Sequence, residues 1–105
     1  MISPLLAIAA ATQTPAPQKA QYSAADYCSE MGDYAFVIME DVVKGRDAGT
    51  MLVKAQTAAT EDGKEILTEL VYAAFQAHRA TDGRMTPKRF SNDVVLECYN
   101  KLKEK

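Results

Sequence analysis

Helical periodicity runs from Ser23 to the end of this chain, and just two cysteines punctuate it, one near each end. No segment alternates apolar and polar residues over strand length, so a sheet has no pattern to build on. Cys28, Met31, Ala35, Ile38 and Val42 recur at three- and four-residue spacing and form one stripe of a first helix. Ser23 suits its N-cap and Gly45 its end. Asp26, Glu30, Asp33, Glu40 and Asp41 fall on roughly the opposite side and read as a solvated face. Carboxylates strung along a helix lack the cleft that acid–base catalysis needs. They also lack the convergent loop oxygens that calcium needs.

The remaining segments repeat the pattern. "KGRDAGTM" breaks the chain, and Asp47 or Thr50 can cap a short second helix carrying Met51, Leu52 and Ala55. After a second break at "TAATEDG", Ile66, Leu67, Leu70, Val71, Ala74 and Phe75 give a broad apolar face to a third helix. Asp82-Gly83 turns the chain, and Thr86-Pro87 opens a last helix as N-cap and first helical residue. Its stripe is Phe90, Val94, Cys98 and Leu102, with Val95 and Tyr99 alongside. The fold expected is all-α: a small four-helix bundle, one helix short, orthogonal or up-down. Short connections favour antiparallel packing of successive helices.

Both cysteines lie on apolar stripes, of the first and last helices. In an oxidising compartment they are expected to form one disulfide, stapling the bundle by closing a loop of about 70 residues worth on the order of 4 kcal/mol. Other arrangements compete. Two buried free thiols would suit a cytosolic protein. A Cys28 or Cys98 nucleophile with His78 as base would make a small enzyme. Two distant cysteines and one histidine are a poor metal set, and no C-x-x-C is present, so neither metal nor cofactor is expected.

The N-terminal twenty residues change character twice. Residues 2–11 are apolar and small but too short to span a bilayer, and "TQTPAPQKAQ" is polar and proline-bearing. That order reads as a signal peptide with cleavage zone over residues 1–20, Ala9-Ala10-Ala11 supplying an A-x-A site, before one helical domain over 21–105. No Lys or Arg precedes the apolar run, so the usual basic n-region is missing; the alternative is a disordered tail on a cytosolic protein. With the cysteine pair, the segment points to a periplasmic or secreted protein. A net charge of -2 argues against nucleic acid and anionic membranes, which select basic surfaces.

Two surface sets remain. Val37 falls among the first helix's carboxylates, and with Tyr34, Asp41 and Met39, whose leading alternative is packing in the core, it makes a candidate partner-binding patch. Arg79, Arg84, Lys88 and Arg89, with His78, gather as a basic patch around the last turn, suited to an anion or an acidic partner. Phosphate loops are absent, because "GRDAG" follows neither the GK[ST] nor the GxGxxG pattern.

Cys28 in the first helix, Cys98 in a last helix ending "YNKLKEK", and the export-like segment together resemble small two-cysteine bacterial periplasmic proteins of the HdeA acid-chaperone type. The resemblance is one of layout over residues 23–105, and this chain has no Trp near its first cysteine. It implies an all-helical, disulfide-linked domain that dimerises at neutral pH and exposes apolar surface when its carboxylates protonate. The function expected is an exported, non-enzymatic protein that binds another protein, as a chaperone-like or stress-related factor or as an inhibitor or immunity protein against a secreted enzyme.

Overall fold

A computed structural model describes residues 23–103, and the segment read as a signal peptide lies outside the described residues. Four helices account for most of what is described: α1 (Ala24–Val43), α2 (Ala48–Ala55), α3 (Glu61–Ala80) and α4 (Pro87–Lys103). The described residues contain no strand.

Local chemistry sets the helix ends. Ser23 Oγ accepts from the Asp26 amide at 3.1 Å, and the Asp26 carboxylate accepts from the Ser23 amide at 3.5 Å, a reciprocal capping box. α1 closes in a Schellman motif: the Gly45 amide donates to Val42 O at 3.0 Å and the Arg46 amide to Asp41 O at 2.9 Å. That geometry puts Gly45 at φ +91°, where a side chain would be strained. Of the two residues able to cap α2, Asp47 does so, its carboxylate accepting from the Thr50 amide at 2.9 Å and hydroxyl at 3.0 Å. Thr60 caps α3 through the Gly63 amide at 2.9 Å. α3 ends in a second Schellman pattern with Asp82 at φ 53°, the Gly83 amide donating to His78 O at 2.8 Å. Thr86 accepts from the Arg89 amide at 3.1 Å, so the Thr86-Pro87 opening of α4 forms as its sequence indicates.

α1 is the helix around which the others assemble. It packs on α4 and on α3, and α2 packs on α3. Successive helices are therefore extensive neighbours only for α2 and α3, which corrects the expectation drawn from short connections. The reason is the α1–α4 crossing. Cys28 and Cys98 are disulfide-bonded, with Cα atoms 5.6 Å apart across a sequence separation of 70. One turn further along α1, Gly32 lets α4 approach closely enough for Ser91 Oγ to donate to Gly32 O at 2.8 Å. A Cβ on Gly32 would overlap Val95 Cγ2 and lie 3.1 Å from Ser91 Oγ.

The core is one cluster. Ala35, Ile38, Met39 and Val42 of α1 meet Met51 of α2, Leu70, Val71 and Ala74 of α3, Met85 of the connection and Phe90 of α4. No polar or charged residue is buried as a whole among the described residues. Thr81 ties the connection to α3: its hydroxyl donates to Ala77 O at 2.9 Å and accepts from the Met85 amide at 2.9 Å, holding Met85 inward.

Candidate functional site: an apolar groove between α1, α2 and α3

Three of the four residues read as a partner-binding patch come together. Tyr34, Val37 and Asp41 form the α1 wall of a groove of about 350 Å³, with Ile38 beneath them. Met51, Lys54 and Ala55 of α2 form the second wall, and Leu67 and Val71 of α3 the third. The volume falls within the range of about 300–1,000 Å³ typical of ligand sites. Its lining is apolar except at the rim, where Asp41 and Lys54 carry the charges.

The groove exists because α2 is short. Its eight residues bury only Met51 and Ala55, and it packs on α3 without packing extensively on α1. Ile38 and Val71 reach the floor from core faces, while Val37 stays 57% exposed and Tyr34 49% exposed at the mouth. Asp41 is half-buried and faces Arg46, Nε to Oδ1 3.7 Å. That separation is too long for a hydrogen bond, and such a pair contributes little on a surface.

Met39 does not belong to this surface. It is 0% exposed and packs in the core, because α1 is covered by α4 on one side and by α3 on another and so buries a wider arc than one stripe. Lys54, on the opposite wall, is the groove residue that sequence reasoning missed. Its only signal was its place one residue before Ala55 on an amphipathic α2.

The other candidates lie elsewhere. Arg79, Arg84, Lys88 and Arg89 are all exposed, on the last turn of α3, the connection and the first turn of α4. The ion pairs Arg46–Asp41 and Lys64–Glu61 are remote from them in sequence. His78, beside them at the end of α3, has its Nδ1 buried with no hydrogen-bond partner among the described residues. The ring lies under the turn, and a Cβ built on Gly83 would sit 3.6 Å from its Cε1. Both cysteines are joined, so the Cys–His pairing considered from the sequence has no free thiol to use.

A second, wider groove of about 640 Å³ runs between α3 and α4 over α1, where those two helices do not pack closely. Met31, Leu70, Val94 and Leu102 line it, and Glu69, Glu97 and Lys101 bring three charges to it. Among the described residues, no group of three or more His, Cys, Asp or Glu is placed to hold a metal ion. No described helix is long and apolar enough to cross a membrane. Asp47 titrates below the usual carboxylate range, chiefly because the Thr50 amide donates to it and then because the Thr50 hydroxyl does; it is a cap, outside both grooves. Comparison with family models, curated proteins and solved structures finds no match.

Proposed function

We propose that this chain is an exported, non-enzymatic helical protein that acts by binding another protein, chaperone-like or stress-related, through the α1–α2–α3 groove. One observation carries the reading: Tyr34 and Val37 are held exposed at the mouth of an apolar groove whose floor is continuous with the core. Exposed apolar side chains scattered singly are ordinary, whereas two of them rimming a preformed concavity are what a partner's side chain can fill. The rigidity of α1, tied to α4 by the disulfide, means that little ordering cost would attach to binding. The Cys28–Cys98 bond is compatible with an oxidising compartment, and the apolar residues 2–11 supply the export signal in this reading.

The test is site-specific photocrosslinking in the producing cell. A photoreactive residue replaces Val37, and in a parallel strain Leu96, which is exposed on α4 away from the groove. A discrete protein adduct from position 37 and not from position 96 is expected. A stable adduct with one enzyme of the same compartment would assign the inhibitor form of this function, and many adducts that increase in acid would assign the chaperone form. No adduct at position 37, or the same adducts from both positions, would end the reading.

A further inference from the structure

We infer that the partner segment seated in the α1–α2–α3 groove is a cationic amphipathic helix; the inference rests on the protein-binding reading above and names the chemistry of what is bound. The argument is charge complementarity around an apolar slot. α1 carries five carboxylates between Ala24 and Val43 and no Lys or Arg. Two of them, Asp33 and Glu40, are exposed or half-exposed outside the lining, each about 100° around α1 from groove positions 34 and 41, on the helix's outer flank. Asp41 stands in the wall itself. Its Arg46 neighbour at 3.7 Å is too distant for a hydrogen bond, so an incoming cation can take the carboxylate without breaking a strong contact. Lys54 is the one cation in the lining, on the opposite wall. The complement of this arrangement is a helix with apolar residues at i and i+3 or i+4 pointing into the slot. Lys or Arg would run along the flank that faces α1, and an acidic residue would face Lys54. A negatively charged segment would meet Asp41 and the α1 flank with repulsion, and an uncharged one would gain nothing from their charge.

Fluorescence anisotropy on the disulfide-bonded chain tests this with three labelled peptides of about 18 residues, five helical turns. One is an amphipathic Leu/Lys helix, one a Leu/Glu helix of the same pattern, and one a Leu/Lys sequence scrambled to remove the apolar stripe. The Leu/Lys helix is expected to bind at least about tenfold more tightly than either control. Asp33→Asn with Glu40→Gln is expected to weaken it roughly three- to tenfold, in line with exposed charge pairs. Val37→Asp separates groove binding from diffuse attraction, because it adds a negative charge while spoiling the apolar mouth. Weaker binding supports the inference, and unchanged or tighter binding overturns it. Preference for Leu/Glu, equal binding of the scrambled peptide, or no binding also overturns it. So does a concentration-dependent dimer in sedimentation that Val37→Asp dissolves, which would assign the groove to a second copy. If photocrosslinking at position 37 yields a partner whose captured segment is neutral or acidic, the protein-binding reading stands and this inference fails. If no such adduct forms, the protein-binding reading fails and this inference falls with it, whatever the peptides do.

Discussion

Replacing Gly32 by Ala separates two physical effects of opposite sign. Gly in a helix interior costs about 1 kcal/mol relative to Ala, so intrinsic propensity alone makes the substitution stabilising. The structure opposes it. The added methyl would overlap Val95 Cγ2 and lie 3.1 Å from Ser91 Oγ and 3.4 Å from Ser91 O. Val has one strongly preferred rotamer in a helix, so its methyl cannot swing aside cheaply, and the Ser91 carbonyl is backbone. Relief requires α4 to move away from α1. The Cys28–Cys98 bond, one turn back along α1, resists that movement, and the Ser91 hydroxyl bond to Gly32 O would lengthen. Overpacking of this kind costs about 1–3 kcal/mol, and loss of the hydrogen bond about 1 kcal/mol more. The net expectation is destabilisation by about 1–3 kcal/mol, or on the order of 10 °C in Tm for a domain this small. Thermal and urea melts followed by circular dichroism, on the oxidised protein, measure it. The decisive comparison is a double-mutant cycle. With Val95→Ala the overlapping methyl is gone, so Gly32→Ala should cost far less there than in the wild-type background. A Tm that rises on Gly32→Ala alone, or equal effects in both backgrounds, would refute the close crossing of α1 and α4.

Further expectations bear on the staple, the caps and the groove. Cys28→Ala with Cys98→Ala, or reduction of the native protein, should cost about 4 kcal/mol, because the closed loop spans a separation of 70 residues. Urea midpoints with and without reductant measure this, and coincident midpoints would contradict it. Asp47 has a folded pKa below its unfolded value, so its contribution is present above about pH 4 and is lost as pH falls through the lower folded value. Asp47→Asn keeps the cap acceptor but not the titration, so it should flatten the acid limb of the stability–pH profile, and an unchanged limb would count against the assignment. Thr60→Ala should lower stability by about 1 kcal/mol through loss of the Gly63 amide's acceptor. Val37→Asp should leave Tm within about 0.5 kcal/mol of wild type in equivalent stability, since the side chain is 57% exposed, while abolishing partner capture.

Which parts of this molecule could be read from its sequence follows from the range of the interactions involved. Ser23, Asp47 and the Thr86-Pro87 pair act on amides within three residues, so cap chemistry is written locally and the helix starts follow from it. The Schellman end at Gly45 is equally local. Met39 shows where local reading stops. Its place on α1 is compatible with the edge of the core or with the surface, and what decides is that α1 is covered by α3 as well as α4, a fact about distant segments. Gly32 carried a usable signal, four residues after Cys28 and three before Ala35 on one helical face, but small residues mark a close crossing only once the opposing helix is known. Tyr34, Val37 and Asp41 were legible as exceptions, apolar beside acidic on an otherwise solvated face. The concavity they rim was not, because it depends on how α2 leans on α3.

The Cys28–Cys98 tie between α1 and α4 holds the body that presents the groove, and the export proposed above would supply the oxidising compartment in which it forms. Intact mass of the protein recovered from its producing cells, alkylated before and after reduction, reads out both the tie and the export. The protein expected is shortened within its first twenty or so residues, takes up no alkyl group until it is reduced, and then takes up two. A full-length chain with both thiols alkylated before reduction would contradict it.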